Sequence, residues 1–200
     1  MADPFGPSGW YCVLPDGSVT SQHRPAALLC GSFNPLHDGH RGLAEIASAK
    51  LACEVGYELS LVNVDKPELT ADVTAERVAQ FRDHRAVWVT REPTFLGKAR
   101  LFPEVAFVVG ADTATRLIDP RYHDGDDKRR DAALEEMRAL GCRFVVAGRM
   151  SRGSYVSAAE SLGDFAAEMF EPISEAEFRM DVSSTQLRAT SSPPEKPATS

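Results

Sequence analysis

The stretch Ala26-Ala-Leu-Leu-Cys-Gly31-Ser-Phe-Asn-Pro-Leu-His-Asp-Gly-His40 decides how this chain is read. Its first five residues, 26–30, form an apolar run of strand length. The run enters Gly31, Asn34, Pro35 and Gly39, residue types that turn a chain, and a helix over 39–55 follows, with Leu43, Ile46, Ala47 and Leu51 at helical spacing. A strand, a tight turn and a helix start place backbone N–H groups and the positive helix end beside the carboxyl edge of a parallel sheet, where phosphates bind. Gly31 lets the chain turn closely, Pro35 restricts the loop, and Gly39 removes a side chain where a phosphate approaches the first helical turn. His37 and His40, three apart, share a face of that turn and can reach one anion.

Outward from this stretch, apolar runs alternate with helical patterns, which predicts β-α-β units around a parallel sheet. Strands are expected at 26–30, 58–64, 86–90, 106–110 and 143–148, with a sixth, short one at 178–182. Helices are expected over 39–55 and over 131–140, where Leu134, Met137 and Leu140 repeat the pattern, and shorter ones over 74–84 and 94–102. The fold class is therefore α/β, a Rossmann-like three-layer sandwich spanning 26–190. Residues 1–25 form an extension in which a Pro15-Asp-Gly17 turn between strand-like flanks suggests a small hairpin. The segment 191–200 reads as a disordered tail, and Tyr122–Lys128 as a charged, solvated loop.

The chain has 200 residues, 43% of them hydrophobic, which fits one domain with a substantial core. Its formal net charge of −7 argues against a broad nucleic-acid surface, while a small anion needs only a few donors aimed at one point. No apolar run approaches the roughly 20 residues of a membrane span. The first residues lack the basic start and apolar stretch of a secretory signal, so a cytoplasmic location is expected. Cys12, Cys30, Cys53 and Cys142 are widely spaced and read as reduced, with Cys30 and Cys142 in or near strands.

Two histidines in one turn also suit a surface pair or an H-x-x-H metal pair. Zinc would need further ligands, and no clustered partner is evident, so no protein-bound metal is expected. Near the other end, Asp181-Val-Ser183-Ser184-Thr185-Gln-Leu-Arg188 has serines able to cap a helix whose first N–H groups face an anion, with Arg188 one turn in as a fork of donors. Phe107-Val-Val-Gly110-Ala-Asp112 is a buried strand ending in Gly-Ala-Asp; Asp112 either accepts hydrogen bonds from a ribose or caps the next helix. Arg149 follows the 143–148 strand, where a surface role suits it. Asn63, Asp65 and Lys66 close the second strand, and Lys66 is a further phosphate candidate.

Gly31-Ser-Phe-Asn-Pro-x-His37-x-Gly39-His40 resembles the signature of the H-x-G-H nucleotidylyltransferase superfamily. Ser183-Ser184-Thr185-x-x-Arg188 is similar to the S-S-T-x-x-R loop of the nicotinamide and nicotinate mononucleotide adenylyltransferases. The resemblance implies transfer of AMP from ATP, with magnesium carried on the triphosphate, to a phosphorylated small molecule, and it permits a homo-oligomer. It implies that His40 donates to the α-phosphate, that His37 and Arg188 hold the departing phosphates, and that Ser184 and Thr185 add donors beside Ser183. It further implies backbone contacts from Ser32 and Phe33 to the acceptor, and nucleotide binding by these two residues with Gly31, Gly39, Gly110, Asp112 and Arg149. The bacterial nicotinate enzymes usually carry a Trp about ten residues after the Gly of Gly-Ala-Asp, where this chain has Pro120, Arg121 and Tyr122; Tyr122 or Trp88 are the available aromatic substitutes. The rival readings are a cytidylyltransferase or pantetheine-phosphate adenylyltransferase on the same scaffold, a silent nucleotide-binding regulator, and a metal-dependent hydrolase.

Overall fold

An antiparallel hairpin opens the structure, with β1 (Trp10–Val13) paired to β2 (Val19–Thr20) across the Pro15-Asp-Gly17 turn. The computed structural model describes residues 5–64, 67–151, 154–157, 162 and 169–178. After the hairpin come β3 (Ala27–Cys30), α1 (Asp38–Leu51), β4 (Val55–Ser60), α2 (Ala71–Ala79), β5 (Val87–Thr90), α3 (Phe95–Leu101) and β6 (Ala106–Gly110). They are followed by α4 (Ala111–Ile118), α5 (Asp127–Ala139), β7 (Arg143–Ala147), a β8 (Arg149–Ser151) and β9 (Ser154–Val156) hairpin, and β10 (Phe170–Ile173).

The main sheet runs β10-β7-β6-β3-β4-β5-β1-β2. From β10 to β5 every pairing is parallel; β1 joins β5 antiparallel, with Trp10 opposite Thr90 and Cys12 opposite Trp88. Strand order therefore starts at β3, grows to β5 on one side, then returns to β6 on the other. The crevice beyond the carboxyl ends of β3 and β6 is the topological switch point, the position at which open α/β sheets bind ligands.

Side chains alternate between the two faces with the period of a strand. Leu28, Phe107, Val109 and Phe144 point toward α3, α4 and α5, which contribute Ala99, Ala114, Leu117 and Met137. Leu29, Val108 and Val145 point toward α1, which contributes Leu43, Ala44 and Ala47. Both faces are covered, giving the three-layer α/β fold of a mostly parallel, Rossmann-like sheet.

Several boundaries differ from the sequence reading. β4 is Val55–Ser60 instead of 58–64. α2 begins at Ala71 because Thr70 caps it, its side chain accepting from the Val73 N–H. α5 begins at Asp127 because Asp126 accepts from the N–H groups of Lys128 and Arg129, so Asp127 and Lys128 of the expected charged loop are helical. The last strand among the described residues is Phe170–Ile173, paired to β7; of the strand expected at 178–182 only Phe178 is described, and 179–182 and the tail at 191–200 lie outside the described residues. The N-terminal hairpin is an integral edge of the sheet, with Trp10 2% and Cys12 0% exposed. All four cysteines are free.

Candidate active site

The 31–40 loop is built from the carboxyl end of β3. Gly31 continues the ladder, its N–H donating to the Glu58 carbonyl at 3.1 Å. A Cβ at Gly31 would lie 2.9 Å from the Phe33 ring, so the glycine leaves the room into which Phe33 folds back. Phe33 is 1% exposed and packs edge-on against His40, Tyr57 and Phe81. Its φ of 44° is left-handed, a conformation costing a non-glycine residue about 1–2 kcal/mol, which burial of the ring offsets. The Asn34–Pro35 peptide is cis.

His37 is the N-cap of α1, in extended backbone (φ −142°, ψ 171°), and His40 is the third residue of the helix. Their rings stack with centroids 3.8 Å apart and planes at 27°. The His37 backbone N–H donates to His40 Nδ1 at 3.4 Å. That contact assigns the acceptor role to Nδ1, so the neutral ring carries its proton on Nε2, leaving an N–H donor on the far side. Burial, and secondarily the His37 charge, lower the His40 pKa to about 4; burial also lowers that of His37, against a small opposing effect of Asp38. At neutral pH both rings are neutral donors at a helix N-terminus, an arrangement that an arriving anion would stabilise.

Across the switch point, β6 pairs in register with β3 and ends at Gly110, which is the N-cap of α4. Gly110 has an ordinary φ of −80°, and a Cβ there would meet no atom within 4 Å, so its smallness leaves open space at the sheet edge. Asp112 is exposed in the first turn of α4 and is not its cap, because Gly110 takes that position. Arg149 opens β8 directly after Gly148, at the carboxyl side of β7. Ser183, Ser184, Thr185 and Arg188 lie outside the described residues, as do Asp65 and Lys66. Gly31, Ser32, Phe33, His37, Gly39 and His40 are thus brought to the same edge as Gly110 and Asp112.

A second polar group occupies the same edge on the α3 face. Lys98 Nζ lies 2.8 Å from Glu58 Oε2, and the Thr90 hydroxyl donates to Glu58 Oε1 at 2.6 Å. Glu58 and Thr90 are 0% and Lys98 6% exposed. Burial, the largest single effect, depresses the Lys98 pKa, but the Glu58 charge and hydrogen bond, together with Cys30 and Glu92, outweigh it and the net shift is upward. Burial, reinforced by the Glu58 charge, pushes the Cys30 thiol well above its ordinary value, which leaves it protonated and inert.

Two aromatic expectations resolve differently. Trp88 is not a ligand platform: it is 3% exposed, donates its indole N–H to the His23 carbonyl at 2.9 Å, and fills the space above Gly56. Tyr122 lies in a short 3-10 turn and is 42% exposed, with the Arg116 guanidinium 5.8 Å from its ring centroid. A cavity of about 500 Å³ lies between the hairpin and α2, lined by Tyr11, Val13, Leu61, Val78 and Val87 among others, and includes no residue of the 31–40 loop.

Residues 28–190 match the sequence model of the cytidylyltransferase-like family. The chain belongs to that family. It is accordingly a nucleotidylyltransferase of the H-x-G-H superfamily, and the 31–40 loop that begins at the switch point is its H-x-G-H segment. None of the curated proteins matches the chain. Among the described residues, no helix is long and apolar enough to cross a membrane.

Proposed function

We propose that this nucleotidylyltransferase moves AMP from ATP to a phosphorylated small molecule, with nicotinamide or nicotinate mononucleotide as the favoured acceptor. An acceptor phosphate oxygen attacks the α-phosphorus, the bond to the bridging oxygen of the β-phosphate breaks, and pyrophosphate leaves. No protein nucleophile takes part; the protein positions the phosphates and stabilises charge as it develops. The observation that carries this reading is the stacked His37–His40 pair at the start of α1, with His40 Nδ1 held by a backbone N–H and its Nε2–H left to donate.

In this reading His40 donates to the α-phosphate, His37 and Arg188 hold the departing phosphates, and Ser183, Ser184 and Thr185 add donors. The backbone at Gly31, Ser32 and Phe33 contacts the acceptor phosphate. Gly39, Gly110, Asp112 and Arg149 border the nucleotide. Magnesium enters as Mg-ATP, part of the substrate, retaining most of its own waters. The mononucleotide acceptors rest on the Ser183-to-Arg188 resemblance. A cytidylyl donor is the second reading, favoured by the description of the family to which the chain belongs.

The deciding experiment supplies Mg-ATP or Mg-CTP together with a panel of phosphorylated acceptors and follows pyrophosphate release. Release with Mg-ATP and either mononucleotide is the expected result. Release with Mg-CTP alone would transfer the proposal to the cytidylyl reading, and release with neither donor would remove it.

A further inference from the structure

The 31–40 loop is held from one side by the last turn of α2 and its C-cap Gln80, through contacts that span 44 to 47 residues of the chain. Gln80 Nε2 donates to the Phe33 carbonyl at 3.1 Å and to the Arg77 carbonyl at 3.2 Å, while Gln80 Oε1 accepts from the Leu36 N–H at 2.7 Å. Arg77 Nη1 donates to the Ser32 carbonyl at 3.0 Å. The amide orientation of Gln80 follows from these partners, since a flipped amide would set oxygen against two carbonyls and NH₂ against an N–H. Phe81, the next residue, packs edge-on against the Phe33 ring with centroids 5.1 Å apart.

These contacts have a directional consequence. In a trans peptide the carbonyl and the N–H of one plane point in opposite directions. Ser32 C=O shares its plane with Phe33 N–H, and Phe33 C=O shares its plane with Asn34 N–H. With both carbonyls tied toward α2, these two N–H groups are turned away from α2. Successive N–H groups aimed to one side form an anion-binding concavity. We propose that Gln80, assisted by Arg77, is a positioning residue that aims the Phe33 N–H at the phosphate of the acceptor. This rests on the reading of the loop given under Proposed function. Only a side chain with a donor and an acceptor at its tip can bridge Phe33 C=O and Leu36 N–H, so a carboxylate performs half the task and a protonated carboxyl performs all of it.

The test uses the full chain with ¹⁵N-phenylalanine, titrated with inorganic phosphate while the Phe33 amide is followed, and calorimetry for Mg-ATP. In the unaltered protein the Phe33 amide should shift saturably. Gln80→Leu should weaken phosphate about tenfold, or about 1.4 kcal/mol, with Mg-ATP affinity changed less than about twofold. Gln80→Glu should resemble Gln80→Leu at pH 8 and return to within about threefold of the unaltered protein, compared at the same pH, once the carboxyl is largely protonated near pH 4, below the ordinary Glu value of about 4.3. If Gln80→Leu fails to fold, the Glu variant compared with the unaltered protein at each pH decides alone. A stationary Phe33 amide, or phosphate affinity indifferent to both substitutions while Mg-ATP still binds, overturns the positioning role only. Absence of Mg-ATP binding in the unaltered protein removes the proposed function and this inference together.

Discussion

The histidine pair and the buried ion pair sit at one edge of one sheet, on opposite faces, and are polar for opposite reasons. Glu58, Lys98 and Thr90 satisfy one another: both Glu58 oxygens have a partner within 2.8 Å. His37 and His40 are stacked ring on ring, depressed in basicity, and spend their backbone contacts on fixing which nitrogen of His40 can donate. A polar cluster complete within the protein holds architecture together, whereas one whose donors face a helix N-terminus and a crevice is organised for an anion that comes and goes.

The largest effect that could break this contrast is on stability. Lys98→Met leaves Glu58 buried without its cation and should cost about 3–5 kcal/mol, measured by urea unfolding. The double change Glu58→Gln with Lys98→Met should recover much of that loss. A negligible effect of Lys98→Met would show that the pair is not the structural member of the two.

His40→Ala should behave in the opposite way. Turnover should fall about a hundredfold to a thousandfold, roughly 2.7–4 kcal/mol, as for other donors aimed at developing charge. Nucleotide affinity and the circular dichroism spectrum should change little, because the interaction strengthens mainly in the transition state. His37→Ala should act more evenly on binding and rate. Unchanged turnover in a folded His40→Ala protein would place the chemistry elsewhere.

A third, smaller effect separates the clusters by pH. The His40 pKa falls from 6.5 to about 4 on folding. Between those values the unfolded chain holds the extra proton, so stability rises with pH. The contribution of neutral His40 is fully present above about pH 6.5 and lost as pH falls through about 4, amounting to at most about 3 kcal/mol. Unfolding measured from pH 4 to 7 should show this slope in the unaltered protein and a shallower one in His40→Asn. Added pyrophosphate, by favouring the charged ring, should flatten the slope as well.

The smallest effect concerns Gly110. Because a Cβ there meets open space and the backbone needs no glycine, Gly110→Ala should alter stability by less than about 1 kcal/mol, the scale of an N-cap change. If the nucleotide passes over this edge, Mg-ATP affinity should drop about threefold to tenfold, or about 0.7–1.4 kcal/mol. Unchanged affinity would move the nucleotide away from β6.

Local sequence determined β3, β6 and the strand-loop-helix containing His37 and His40, because each is specified by neighbours along the chain: an apolar run, turn residues, then a helical period. The α/β class followed from the repetition of such units. What the tertiary structure alone decided is wherever a residue answers to a partner far away. β4 starts at Val55 although Gly56 and Glu58 oppose a strand, because Gly56 leaves room for Trp88, whose ring would lie 2.2 Å from a Cβ, and Glu58 is neutralised by Lys98, 40 residues on. The hairpin's place on the edge of β5, the burial of Trp88 and the hold of Gln80 on the loop share that character. Periodicity reports which side of an element is apolar, but the partner that satisfies a buried polar group or fills a glycine's space is chosen by sheet order, and sheet order is a property of the folded chain.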